Sequence, residues 1–142
     1  MEIINYEADF YAWASQQAEL LRQRQASFLD WMNLAEEIEA MGRSEKRQLA
    51  TRLEVLIMHL LKWHYQPNLR SQSWQLTIQE QRLRLGKLLQ ENPSLKPIVS
   101  DIILSAYPLA VINAKREAGL SNYPKDCPYS PEQLLRDIFL PD

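Results

Sequence analysis

Cysteine, glycine and long hydrophobic runs are all scarce in this 142-residue chain. The single cysteine, Cys127, cannot close an internal disulfide, and one thiol ahead of a proline is not a metal signature. A reducing, cytoplasmic setting is the expectation. Only three glycines are present, and no phosphate loop, dinucleotide fingerprint, zinc spacing or nucleophile elbow can be found. No cofactor is therefore expected, and the balance leans away from an enzyme. The longest apolar run, Val55 to Leu61, is interrupted by His59 and falls far short of the roughly 20 residues that cross a bilayer. The opening Met1-Glu2-Ile3-Ile4-Asn5-Tyr6-Glu7 has neither a basic n-region nor an apolar h-region, so no secretory signal and no membrane association are expected. An excess of one charge is missing too. With 16 basic and 18 acidic residues the formal charge is -2, which leaves nucleic-acid binding to a local patch.

What is present favours helix. At 46% hydrophobic and 24% charged residues, the chain fits one all-α domain over 1–142, an irregular bundle of five to six helices around a central buried one. Asp9 is a good N-cap for a first helix reaching about Gln25, with Phe10, Trp13, Ala14, Leu20 and Leu21 on its apolar side. A second helix opens at Asp30. Its stripe, Trp31, Leu34, Ala35, Ile38 and Met41, recurs at helical steps toward the core. Gly42 reads as its stop and Ser44 as a fresh cap, with a continuous kinked helix as the alternative.

The third helix, about Glu45 to Tyr65, is apolar on nearly every side, the mark of a buried helix, and Gln66-Pro67 ends it. Ser73 caps a fourth from Trp74 to about Gln90, stopped at Asn92-Pro93. Ser94 caps a fifth whose core face is Val99, Ile102, Ile103, Ala106 and Ala110. Pro108 predicts a break or kink there, and Gly119 the end. After an ordered loop, Ser130-Pro131-Glu132-Gln133 combines a capping box with a first-turn proline, and Leu134, Leu135, Ile138 and Phe139 would dock a short last helix.

Three groups invite chemistry. Glu36, Glu37 and Glu39, with His59, suggest a metal-dependent enzyme, because carboxylates on bundle helices hold metal ions. The Glu-x-x-His spacing of such sites is absent, and ion pairing to Arg43, Lys46 or Arg47 is the plainer reading. Lys62, Trp63, Tyr65, Arg70, Trp74, Arg82 and Arg84 mix bases with aromatics near one turn, a pattern that grips single-stranded nucleic acid. The plainer reading makes Trp63 and Trp74 a corner wedge covered by Lys and Arg stems. Glu54 is expected to be buried with Arg52, Arg82 or Arg84 as partner, and Thr77 and Gln81 form a polar inlay on an apolar face.

Several segments also carry a resemblance. They are Tyr6 to Ala14, Leu29-Asp30-Trp31 with Leu34 to Glu39, His59 to Trp63 with Gln66-Pro67, Ser73-Trp74, Thr77-Ile78, Pro93 to Leu95, and Tyr123-Pro124 with Cys127 to Tyr129 and Leu134-Leu135. Together, in this order and spacing, they resemble the bacterial family called domain of unknown function 29, abundant in cyanobacteria. The resemblance implies a small all-α protein and carries no catalytic set. The leading expectation is a cytoplasmic interaction module, binding an unknown protein or itself. Nucleic-acid binding and metal-dependent catalysis are the alternatives.

Overall fold

In the computed structural model, residues 1–119, 122–136 and 138–142 are described. They form five α-helices: α1 (Phe10–Arg22), α2 (Trp31–Tyr65), α3 (Gln72–Glu91), α4 (Val99–Ala118) and α5 (Pro131–Leu135). Short 3-10 turns at Ala26–Phe28, Pro67–Leu69 and Pro93–Ile98 join several of them, and no strand occurs among the described residues. The fold is all-α. Its packing divides into two compact units, Met1–Ser44 and Glu45–Asp142.

The first unit holds α1 and the opening turns of α2. Asp9 caps α1 by accepting the Ala12 N–H at 3.0 Å. The helix ends at Arg22, earlier than the sequence suggests, and Arg24 turns the chain with φ 57°. Trp13 and Leu20 are buried, but Phe10 and Leu21 are about half exposed. The third buried side chain is polar: Gln17 accepts the Asp30 N–H at 2.8 Å. Trp13 donates its indole N–H to Asp30 at 3.0 Å, and Asn33 adds a bond to the same carboxylate at 2.8 Å. These bonds, Asn33 foremost, hold the Asp30 carboxyl below its usual range and keep it charged.

The second unit is built on the rest of α2. Leu49, Leu53, Leu56, Ile57, Leu60 and Leu61 have no exposed surface at all. Around them pack Ile78, Leu85, Leu88 and Leu89 of α3, Val99, Ile102, Ile103, Tyr107, Ala110 and Ala114 of α4, and Leu134 of α5. Burying each large apolar side chain contributes about 1.5–3 kcal/mol, which is why a helix with apolar residues all round settles in the middle.

Several boundaries differ from the expectation. Gly42 neither stops nor caps a helix: α2 runs unbroken through it. A lone glycine costs only about 1 kcal/mol in a helix interior, and the long apolar half that follows holds the helix together. Ser71, not Ser73, caps α3, accepting the Trp74 N–H at 3.2 Å. Pro93–Ile98 is a 3-10 lead-in, so α4 begins at Val99, without a Ser94 cap. Pro108 does not end α4; Leu104 and Pro108 both face solvent, where water can take the carbonyl that loses its bond. Gly119 ends the helix in the left-handed region at φ 76°. The capping box at Ser130 and Gln133 forms as the sequence indicates. Ile138, however, is 80% exposed, because α5 stops at Leu135 and Arg136 is extended.

The stretch Pro93–Ala118 is long and apolar enough, by length and composition, to cross a bilayer, at mean hydropathy 1.5, although polar residues interrupt it. Its buried stripe packs into the core of the second unit, while 33% of the apolar window is buried in all.

Gly86 lies exposed inside α3, and an added Cβ would meet nothing within 4 Å. Gly86→Ala is expected to raise stability by about 1 kcal/mol, read from urea unfolding. No gain, or a loss, would mean that the Gly86 face of α3 is covered.

Candidate functional site

In the second unit, the last turns of α2 bring His59, Lys62, Trp63, His64 and Gln66 to one end of the buried helix. His59 is half-buried, and its Nδ1 donates back to the Val55 carbonyl at 2.8 Å. Burial, with Lys62 nearby, lowers its pKa below the usual value; the Val55 bond and Glu117 oppose this. Lys62 is only 3% exposed. Its stem is buried beside Leu61, so its ammonium needs a partner. Glu117, in the last turn of α4, supplies it at 2.5 Å, and the ammonium also sits 4.7 Å from the centre of the Trp74 ring. The Lys62 bond holds the Glu117 carboxyl below its usual range.

Arg70 performs a similar task outside the core. Its guanidinium lies 4.9 Å from the Trp63 ring centre, and its Nε donates to the Trp63 carbonyl at 2.8 Å. Its Nη2 reaches the Asp142 carbonyl at 2.7 Å. Gln66 ties the Ala118 carbonyl at the end of α4 with a 3.1 Å bond. Beneath them the buried Tyr129 hydroxyl donates to the Leu60 carbonyl at 3.1 Å, with His64 Nδ1 3.3 Å away. Burial pushes this phenol's pKa well up.

Arg82, from α3, is 4% exposed. It donates to the carbonyls of Leu134 (2.9 Å), Phe139 (2.7 Å) and Gln133 (3.0 Å). Gln133 and Leu134 lie in the last turn of α5, where carbonyls are left open as the helix gives out, and Phe139 lies beyond it; one guanidinium fork gathers all three. Gln81 is half-buried and accepts from Arg52 at 3.4 Å. Glu54 is half-buried with Asn113 as donor at 3.0 Å, not an arginine. The sequence pattern gave no hint that Arg82 serves backbone carbonyls, since their positions depend on where α5 ends.

The corner foreseen in the sequence is thus real in part. Trp63 and Trp74 each carry a cation on one face, while Lys62 and Arg82 are committed to internal partners. Arg84 stands apart, paired with Glu80 at 3.2 Å on the surface.

In the first unit two neighbours, Arg43 and Tyr6, take up the acidic residues. Arg43 pairs with Glu36 at 3.4 Å and with Glu39 at 3.7 Å. Glu37 accepts a short bond from the Tyr6 hydroxyl, which lifts that phenol to about 12. Tyr6 in turn meets the Trp13 ring edge-on at 4.8 Å. Among the described residues, no group of three or more His, Cys, Asp or Glu side chains is arranged to hold a metal ion.

The feature misread from sequence is the α2 stripe. Trp31, Ile38 and Met41 are 63%, 62% and 61% exposed, and Ala35 and Gly42 are exposed beside them. Only Leu34 is half-buried. Helical spacing marks an apolar face but cannot say whether anything covers it.

Two substitutions separate the parts of the Lys62 pair. Lys62→Met keeps the buried stem and is expected to change stability by less than about 1 kcal/mol. Glu117→Ala strands the ammonium and should cost roughly 2 kcal/mol, softened because Glu117 is half exposed. Equal costs in urea unfolding would contradict this assignment. With its folded pKa depressed, His59 binds fewer protons folded than unfolded once pH drops below the free value of about 6.5. Its contribution is therefore complete above that pH and is lost on acidification. His59→Asn should flatten the stability profile between neutral pH and about 5.5; an unchanged slope there would refute the buried neutral histidine.

Comparison with known proteins gives one family. The model described as Domain of unknown function DUF29 matches residues 5–140. No curated protein and no solved structure matches the chain. An all-α chain of this pattern, matched over nearly its whole length, belongs to the DUF29 family.

Proposed function

We propose that this chain is a cytoplasmic, bacterial helical module that works by protein association and has no catalysis of its own. The observation that carries the reading is the uncovered stripe on the first turns of α2. Isolated exposed apolar residues are ordinary on a protein surface, but a contiguous set on one helix face marks an interaction site. Here Trp31, Ala35 and Ile38 lie on one face with Met41 at its edge, all of them exposed. The first unit buries only Trp13, Gln17 and Leu20 within its own 44 residues. So small a unit has little core to spare, and further apolar contact would stabilise it. The rival nucleic-acid reading loses support because Lys62 and Arg82 are 3% and 4% exposed. A cytoplasmic setting is supported by the one cysteine, half-buried and held protonated by burial.

Ile38→Glu tests the reading. The side chain is exposed, so the variant should keep its helix content and lose no more than about 0.5 kcal/mol. Its association, with another copy or with a protein co-purified from the source cell, should disappear. Association that survives the charge unchanged would overturn the proposal.

A further inference from the structure

We infer that the occupant of the α2 stripe is a second copy of this chain, laid antiparallel against the first. The inference rests on the reading of that stripe as a contact surface. It follows from the order of sizes along one helix face. Trp31, Ala35, Ile38 and Gly42 succeed one another at steps of four, three and four residues, all exposed. Large residues alternate with small ones, so the face offers two knobs and two hollows.

A twofold axis passing between Glu36 and Glu37 sets Trp31 of one copy opposite Gly42 of the other, and Ala35 opposite Ile38. Trp31 and Ile38 then each meet a small residue, twice over by symmetry, as an isologous contact requires. At Gly42 an added Cβ would find nothing within 4 Å, so the hollow is open to an incoming ring. Parallel pairing in register fails the same test: it stacks Trp31 on Trp31 at one end and leaves Gly42 facing Gly42 at the other.

Charge does not oppose the arrangement. Glu36 and Glu37 flank the axis in sequence, but at about 100° per residue they lie on opposite shoulders, well away from the stripe. Glu36 and Glu39 already share Arg43. The stripe supplies part of the area. Trp31, Ile38 and Met41 are 63%, 62% and 61% exposed. They offer roughly 350 Å² of side-chain surface per copy, toward the roughly 800 Å² per partner of a standard interface. The rim of polar residues would supply the remainder.

The test uses the full chain in sedimentation equilibrium. The expected result is a reversible dimer that Gly42→Leu weakens at least tenfold. That variant adds a better helix former where a Cβ meets nothing, so circular dichroism and the unfolding midpoint of the monomer should not fall. Orientation is read by cysteine cross-linking with Cys127 replaced by serine. Trp31→Cys chains mixed with Gly42→Cys chains should form a mixed disulfide, and neither should form one with itself. In the antiparallel pair, like positions stand about 16 Å apart along the axis, beyond the roughly 7 Å limit for a disulfide. A dimer indifferent to Gly42→Leu, or one cross-linked through like positions, overturns the inference. A strict monomer overturns it as well, and a further arm then decides the broader reading. If Ile38→Glu abolishes capture of a different protein, the stripe remains a contact surface; if it changes nothing, both readings fail.

Discussion

Complete burial of one face-less stretch of helix governs the second unit. Leu49, Leu53, Leu56, Ile57, Leu60 and Leu61 have no exposed surface, and α3, α4 and α5 contribute their apolar faces around them. Lys62 lies among the enclosed side chains of that helix, and the pairing of its ammonium with Glu117 and the Trp74 ring follows. It also places α2's last carbonyls where Tyr129 and Arg70 reach them, at Leu60 and Trp63. The polar groups that look like a site in the sequence are largely the solutions to problems created by that burial. Arg82 follows the same logic at the short end of α5, where three carbonyls converge on one guanidinium.

Much of this was legible in the residues themselves. All-round apolar spacing from Leu49 to Leu61, the stop at Gln66-Pro67, the capping box at Ser130 and the left-handed end at Gly119 are local signals with local causes. Where the sequence left alternatives, context decides between them. Gly42 and Pro108 carry breaker chemistry, yet each sits on an exposed position of a long helix, and α2 and α4 run on through them, at Gly42 as the continuous-helix alternative has it. A stop there would gain nothing that the packed stretches beyond them do not already supply. Ser71 and Ser73 are both competent caps, and which one is used depends on where the preceding turn releases the chain.

The candidate site was legible in its membership more than in its purpose. The sequence brings Lys62, Trp63, Arg70 and Trp74 to one corner, and the structure places cations over both indole rings there. It does not reveal that Arg82 is spent on α5, because that depends on how few turns α5 completes. Nor does it reveal that the stripe from Trp31 to Met41 lies open, since an apolar face reads the same whether its cover is another helix of the chain or another molecule. The contrast along α2 carries the functional argument: one part of the helix buries six large apolar side chains completely, and the other presents tryptophan, isoleucine and methionine to solvent.

Hydrogen–deuterium exchange along α2, followed as protein concentration rises, bears on that contrast most directly. Amides from Leu49 to Trp63 should exchange slowest and at a rate independent of concentration. Those from Trp31 to Gly42 should exchange faster in dilute protein and slow as concentration increases. Uniform protection along the whole helix at every concentration would contradict the account, because the stripe would then have no cover left to gain.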